Sequence, residues 1–75
     1  MKARTREPLT ARQREVFDWI ESFINERHYA PTIREIADAM DIVSNNGVVC
    51  TLTSLQRKGW IDRDPLASRA MWITD

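Results

Sequence analysis

Apolar side chains recur at helical spacing along the first third of the chain. Thr10 followed by Gln13 is typical of a capping box, the side-chain pair that marks the beginning of a helix. After it, apolar residues at i, i+3, i+4 and i+7 predict a helix with one face towards a core. The stripe consists of Val16, Phe17, Ile20, Phe23 and Ile24, and Trp19 flanks it. We therefore expect Trp19 to cover the edge of this core.

Two further helices, separated by a turn of four residues, are predicted between Thr32 and Gly59. Thr32 with Glu35 is a second capping-box pattern. Ser44 is a favourable N-cap for the later helix, and Gly59 is a favourable stop. The apolar face of that later helix consists of Val48, Leu52 and Leu55, with Thr51 at its edge. Such a pair forms a helix-turn-helix, whose second helix typically enters a DNA major groove.

Two segments of weak alternation follow the last helix. Residues 60–63 and 69–73 carry the alternation, and residues 64–68 separate them. We expect a β-hairpin, or wing, in which Trp60 and Trp72 pack against the helices. The predicted fold class is therefore mainly α with a small β-hairpin, a winged helix-turn-helix of three helices plus a two-stranded antiparallel wing.

With 75 residues, the chain is long enough for one small domain. We place this domain at residues 9–75 and expect the polar residues 1–8 to form a flexible N-terminal arm. The alternative is an arm whose arginines contact the DNA backbone. Cys50 has no partner for an internal disulfide, and no apolar run is long enough for a membrane span. We therefore expect a cytoplasmic protein without a membrane partner. Since His28 is the only histidine, we expect no metal site, and we also expect no cofactor and no small-molecule substrate.

The net charge is zero, with 11 basic and 11 acidic residues, which taken alone argues against nucleic-acid binding. The charges are unevenly distributed, however. Residues 1–14 carry five basic side chains and one acidic side chain, whereas residues 15–41 carry two basic and seven acidic ones. Between Ile42 and Ile61 there is no acidic residue. One face of such a dipolar domain can still be attracted to phosphates, although the binding should be weak.

The polar face of the last predicted helix is mildly basic and contains no glutamate. It comprises Asn46, Cys50, Thr53, Ser54 and Arg57, with Gly47 beside them. Asparagine can bond an adenine edge through both amide groups, and serine, threonine and cysteine can make smaller contacts. Glycine is costly inside a helix, so Gly47 indicates a close approach, for example to a DNA phosphate or a thymine methyl group. The alternative interpretation is an ordinary solvated surface.

These residues, in this order, resemble the amino-terminal DNA-binding domain of LexA repressors. The resemblance runs from about Leu9 to Ile73 and rests on Leu9–Gln13, Glu15–Phe17, Pro31–Thr32, Glu35–Ala37, Ser44, Asn46, Leu52, Leu55, Lys58–Gly59, Ile61 and Ser68–Ala70. It implies a transcriptional repressor that binds double-stranded DNA, with one copy on each half of a palindromic operator. We therefore expect a monomer or weak dimer that becomes dimeric on the operator.

The resemblance also implies which residues contact DNA. Carried over by position, the base contacts come from Ser44, Asn46, Gly47, Val49 and Cys50, and we add Asn45 and Thr53 beside them. The backbone contacts that we expect come from Thr32, Arg34, Arg57, Lys58, Ser68 and Arg69. For Ser68 and Arg69 the alternative interpretation is a solvated wing tip.

At several positions the chain departs from the family pattern. Asn45 stands where a proline is common, and Thr51 stands where a histidine is usual. Well-known bacterial members carry two glutamates where Val49 and Cys50 lie, so their operator sequence does not transfer. Asp41 replaces a turn glycine, and aspartate tolerates the left-handed conformation better than most residues.

LexA repressors also carry a self-cleaving domain with a Ser-Lys dyad. The resemblance further implies that this chain acts in the SOS response. That domain is absent from this chain, and we expect no enzymatic activity, since no glycine-rich phosphate loop or nucleophile–base spacing is present. An alternative function is a winged-helix protein-interaction module without specific DNA binding. Zero net charge, the apolar Val49 and the Cys50 thiol favour that alternative. The acid-free stretch and the matches at Ser44 and Asn46 favour DNA binding.

Overall fold

In the part of the chain that the structure describes, three helices and a two-stranded sheet make up the fold, as the sequence predicts. The computed structural model describes residues 6–64, 66–67 and 69–74. The element order is α1 (Ala11–Arg27), α2 (Ile33–Ala39), α3 (Asn45–Arg57), β1 (Ile61–Arg63) and β2 (Met71–Ile73). This is the architecture of a winged helix-turn-helix, and the predicted fold class is confirmed.

Both predicted capping boxes are formed. The Thr10 hydroxyl accepts a hydrogen bond from the Gln13 N–H, and the Thr10 N–H donates to Gln13 Oε1, both at 3.2 Å. At the start of α2, the Thr32 hydroxyl accepts from the Glu35 N–H at 3.1 Å, and the Thr32 N–H donates to Glu35 Oε1 at 2.9 Å. Each box provides side-chain acceptors for two backbone N–H groups at the start of a helix. These hydrogen bonds fix where the helix begins.

The turn and both ends of α3 also follow the sequence. Asp41 adopts a left-handed backbone with a φ of 56°. Ser44 caps α3, since its hydroxyl accepts from the Asn46 N–H at 3.1 Å. At the other end Gly59 has a φ of 88°, its N–H donates to the Gln56 carbonyl, and the Trp60 N–H donates to the Leu55 carbonyl. This pair of bonds is a Schellman motif, which ends α3 at the predicted glycine.

One apolar core joins the three helices to the wing. Its buried members are Val16, Phe17, Ile20, Ala30, Ile36, Ala37, Val48, Leu52, Leu55, Ile61 and Met71. The stripe predicted on α1 and the face predicted on α3 both supply this core. Trp19 is half-buried at its edge, with its ring centroid 5.2 Å from that of Phe23. The domain therefore has a fixed inner side, and the outer side of α3 is left for solvent or a partner.

The two tryptophans of the wing differ in their packing. Trp60 packs edge-on against Phe17, with ring centroids 5.1 Å apart, as expected. Trp72 is 50% exposed, so the expectation that it packs against the helices is wrong. The antiparallel register pairs Asp62 with Trp72, and along β2 it is Met71 that is buried. Because side chains alternate along a strand, Trp72 then lies on the outer face of the hairpin.

The end of the predicted N-terminal arm is attached to the wing. The Glu7 N–H donates to the Lys58 carbonyl at 3.0 Å, and the Trp60 indole N–H donates to the Glu7 carbonyl at 2.6 Å. The Arg6 guanidinium donates to the Thr74 carbonyl and lies 4.6 Å from the centroid of the Trp60 ring. We call these five residues the N-terminal clasp. Arg6 and Glu7, which belong to the predicted arm, thus contact the wing and the end of α3, and residues 1–5 lie outside the described residues.

Candidate nucleic-acid interface

The residues predicted to contact bases occupy the turn before α3 and its outward face. Ser44, Asn45, Asn46 and Gly47 are all exposed at the beginning of the helix. Further along, Cys50 and Thr53 are exposed and Val49 is half-buried. The opposite face of α3 is buried at Val48, Leu52 and Leu55, each with no exposed surface. The core therefore sets the rotation of α3 about its axis, and that rotation turns the candidate residues outward.

Gly47 makes its close approach to another part of the same chain. The sequence had suggested a DNA phosphate or a thymine methyl group as the neighbour. A Cβ atom at this position would lie 3.1 Å from Cγ2 of Ile42, which is closer than ordinary van der Waals contact. Ile42 is half-buried and packs against the core from the turn. The close approach within the domain is therefore sufficient to account for Gly47, and no DNA contact is needed to explain it.

The two basic residues at the end of α3 have different surroundings. Arg57 is the last residue of the helix and is exposed. Lys58 is half-buried, and its Nζ donates to Gln13 Oε1 at 2.8 Å. Gln13 Oε1 thus serves both the cap of α1 and the end of α3. A phosphate contact from Lys58 would share its ammonium group with this amide, whereas Arg57 is open to solvent.

Two more predicted backbone contacts lie at the start of α2. Thr32 is half-buried, with its hydroxyl engaged in the capping box, and Arg34 is exposed in the first turn. Beside them a cleft of about 310 Å³ opens between α2 and the wing. Arg34, Arg63 and Arg69 line it, together with Asp64. Sequence patterns gave no sign of this cleft, because Arg63 and Arg34 are far apart along the chain.

Arg69 holds the wing against the helix-turn-helix. Its guanidinium donates to both carboxylate oxygens of Glu35, at 2.8 and 3.0 Å, and to the Ala30 carbonyl at 3.0 Å. The same group lies 4.8 Å from the centroid of the Tyr29 ring. Three of its five N–H donors are thus engaged. Ser68, predicted beside it as a backbone contact, lies outside the described residues.

The charge pairing of Glu35 with Arg69 was missed by sequence reasoning, which assigned Glu35 only to a capping box. Hydrogen bonds from Arg69, and then from the Thr32 backbone, lower the pKa of Glu35. The carboxylate in turn raises the pKa of Arg69. Both shifts favour the charged forms, so the pair is ionised at neutral pH. The sequence signal that could have indicated this pair was a carboxylate at the third position of α2 together with an arginine in the wing loop.

Residues 6–64, 66–67 and 69–74 contain no group of three or more histidine, cysteine, aspartate or glutamate side chains that could hold a metal ion. Of the helices in this part of the chain, none combines the length and apolar character needed to cross a membrane.

Comparison with known proteins identifies one family. The sequence model described as LexA DNA binding domain matches residues 6–70. The LexA repressor of Anaeromyxobacter dehalogenans is 54% identical over 65 residues, which cover 87% of this chain and 28% of that protein. LexA repressor 2 of Nocardia farcinica is 46% identical over 63 residues, which cover 84% of this chain and 26% of that protein. The LexA repressor of Roseiflexus sp. is 44% identical over 70 residues, or 93% of this chain and 32% of that protein.

The chain spans about a third or less of the length of these relatives. The matched segment contains all three helices, strand β1 and the loop before β2, and includes the candidate residues at the start of α3. Because the family model covers residues 6–70 of 75, the chain belongs to the LexA DNA-binding domain family.

Proposed function

We propose that this chain is the DNA-binding part of a sequence-specific transcriptional repressor, with α3 in the major groove of an operator half-site. The observation that carries the proposal is the two-sided character of α3. One side is wholly buried at Val48, Leu52 and Leu55, while the other side exposes short polar groups. A helix fixed in this way offers base-contacting groups in a constant orientation, which recognition in the major groove requires.

The proposed contacts divide into two classes. Base contacts come from the exposed beginning and outward face of α3: Ser44, Asn45, Asn46, Gly47, Val49, Cys50 and Thr53. Backbone contacts come from the starts and ends of elements and from the wing: Thr32, Arg34, Arg57, Lys58, Ser68 and Arg69. Arg34 and Arg57 are the strongest of the second class because both are exposed, whereas the exposed Arg69 already donates to Glu35 and Ala30. Base contacts specify the sequence, and backbone contacts fix the register.

We further propose that two copies bind one palindromic operator, each on one half-site. A domain with zero net charge gains little overall from phosphate contacts, so one copy alone binds weakly. The chain itself is a monomer or a weak dimer in the absence of DNA. It performs no catalysis, uses no cofactor and works in the cytoplasm, where DNA and reduced thiols such as Cys50 are found together.

Titration against duplex DNA of pooled random sequence, at low and at moderate salt, tests the first half of this proposal. A single copy should bind at about 10⁻⁴–10⁻⁶ M or more weakly at physiological salt, and affinity should fall as salt rises. Absence of salt-dependent binding, even at low salt, would contradict the proposal. The protein-interaction function, which the neutral charge and exposed apolar groups favour, would then take its place.

A forced dimer tests the second half. The full chain is fused to a parallel coiled coil through a flexible linker and used to select duplexes from a random pool. On a selected palindrome the fused dimer should bind about 10²–10⁴-fold more tightly than the single chain, because the second copy binds at a high effective concentration. Equal affinities for the dimer and the single chain on every selected duplex would rule out two-fold half-site recognition.

A further inference from the structure

The beginning of α3 presents an uncharged surface that includes apolar groups. From Ile42 to Gln56 there is no charged residue of either sign. The surface groups here are two carboxamides, two hydroxyls, a thiol and two aliphatic side chains: Asn45, Asn46, Ser44, Thr53, Cys50, Val43 and Val49. This inference rests on the proposed function, and it concerns the class of base pair that this surface can accept.

Missing side-chain types limit what the surface can recognise. A guanine edge is normally bound by arginine or lysine, and the cytosine amino group by aspartate or glutamate. The stretch from Ile42 to Gln56 contains none of these four residues. Asparagine suits the adenine edge, and aliphatic groups suit the thymine methyl. The chemistry available at this end of α3 therefore matches A·T pairs.

Val43 is the apolar residue that internal packing does not explain. It immediately precedes the cap residue Ser44, where an apolar side chain often packs against the fourth residue of the helix as a hydrophobic staple. That fourth residue is Val48, which is fully buried, yet Val43 is fully exposed at 103%. The neighbouring Ile42 packs against the core instead. Val43 therefore does not form a hydrophobic staple with Val48. Its two methyl groups are exposed to solvent next to the beginning of α3.

We propose that Val43 is a specificity residue which, together with Val49, contacts thymine methyl groups. The operator half-site is then A·T-rich at the pairs that face the beginning of α3, with Asn45 or Asn46 on an adenine edge. Val43 shares the exposed surface with these asparagines, since residues 43–46 are consecutive and all are exposed. A thymine methyl is the one apolar group that a base pair presents in the major groove, so it is the natural occupant of this position.

Replacement of thymine by deoxyuridine tests the proposal, since it removes only the methyl group. The duplexes are those selected by the fused dimer of the full chain. At one thymine in each half-site, deoxyuridine should weaken binding about fourfold per half-site, the equivalent of about 0.8 kcal/mol for one buried carbon. Val43→Ala should weaken binding to the thymine duplex by a similar factor. On the deoxyuridine duplex Val43→Ala should cause no further loss, because the partner group is already gone.

Leu66→Ala is the matched control, since Leu66 is another exposed aliphatic residue, at 94%, but lies in the wing loop. This variant should keep the full preference for thymine over deoxyuridine. Unfolding by urea should show unchanged stability for both variants. The inference is overturned if the selected half-sites have G·C at every pair facing α3, if deoxyuridine is tolerated at every thymine, or if Val43→Ala weakens both duplexes equally. If the pool yields no enriched duplex, the proposed function is overturned as well. That outcome differs from the three above, in which specific DNA binding remains and only the inference about Val43 fails.

Discussion

The two ends of α3 are held very differently. At the carboxyl end Gly59 is buried, its carbonyl accepts from the Thr74 hydroxyl at 2.6 Å, and the Lys58 carbonyl accepts from the Glu7 N–H at 3.0 Å. At the amino end residues 43–47 are all exposed. The same helix is thus anchored to the wing and the N-terminal clasp at one end, and presented to solvent at the other.

This difference separates stability from recognition along one helix. At the anchored end Gly59 and the Lys58 backbone have their hydrogen-bond partners inside the protein, so disruption of these bonds should reduce folding stability. At the presented end Ser44 also caps α3, but the other exposed side chains can exchange water for a ligand, so their loss should affect mainly binding. A rigid support also reduces the ordering cost of binding. The predictions below test whether the division is as sharp as the structure indicates.

Leu52→Ala should have the largest effect, because this residue has no exposed surface in the middle of the buried face of α3. We expect a loss of about 2–5 kcal/mol in the free energy of unfolding, from lost apolar burial and the cavity left behind. Chemical denaturation measures it. Thr53→Ala, one residue later on the exposed side, is the control and should change stability by less than about 0.5 kcal/mol. Similar losses for both variants would mean that the two sides of α3 are not distinct.

Asn46→Ala and Arg57→Ala compare the two ends directly on DNA. Asn46, in the exposed first turn, should contribute to base recognition, so its loss should cost about 1–3 kcal/mol on a selected site and flatten the preference at one base pair. Arg57, the exposed last residue, should contact backbone phosphate. Its loss should weaken all duplexes about equally and reduce the salt slope by about one.

Binding of both variants to selected and scrambled duplexes across a salt series separates these roles. The two variants should both remain folded, since each residue is exposed. If neither variant changes affinity or salt slope, α3 is not in the interface, and the protein-interaction function would lead. If Arg57→Ala instead flattened the preference at a base pair, the assignment of the two ends would be reversed.

Much of this comparison could be predicted because it depends on local sequence. Capping boxes, the Asp41 turn and the Gly59 stop each involve residues within a few positions of one another, and the structure contains all of them. The buried face of α3 follows from helical periodicity alone. Such features need no knowledge of the rest of the fold.

Long-range contacts of the same residues could not be predicted. Gln13 and Glu35 were identified as capping residues, but each also binds a basic residue from later in the chain: Lys58 at 2.8 Å and Arg69 at 2.8 Å. These pairs are 45 and 34 residues apart. A polar segment such as Arg6–Glu7 has no periodicity, so its attachment to the wing left no signal either. The exposure of Trp72 could have been anticipated from strand alternation once Met71 was placed in the core.

The two glycines of the chain provide the next test, since each lies at one end of α3. Gly59→Ala should cost about 1–2 kcal/mol of stability, because its φ of 88° lies outside the range that L-residues favour. Gly47→Ala should cost less, since the gain in helix propensity, up to about 1 kcal/mol, offsets the contact with Ile42 at 3.1 Å. Thermal or urea unfolding ranks the two. A greater loss at Gly47 would mean that the presented end is held as tightly as the anchored one.

Glu35→Gln should have the smallest effect and a defined pH dependence. Glutamine can still accept the capping hydrogen bond from the Thr32 N–H, as Gln13 does in the first box. It cannot carry the charge that pairs with Arg69 at 2.8 Å. Since the pKa of Glu35 is lowered in the folded state, the carboxylate stabilises the fold fully above its ordinary pKa of about 4.3. The stabilisation is lost as the pH falls through the lowered value.

The difference in unfolding free energy between the parent chain and Glu35→Gln should therefore be constant near neutral pH and shrink below about pH 4. Urea unfolding between pH 7 and pH 2 measures it. Glu15→Gln is the control, because Glu15 pairs with Arg12 at 3.4 Å where both side chains are at least half exposed. It should leave most of the acid sensitivity in place. Parallel stability curves for the parent and Glu35→Gln would show that the Glu35–Arg69 pair does not hold the wing, and Arg69 would then be available for DNA phosphate alone.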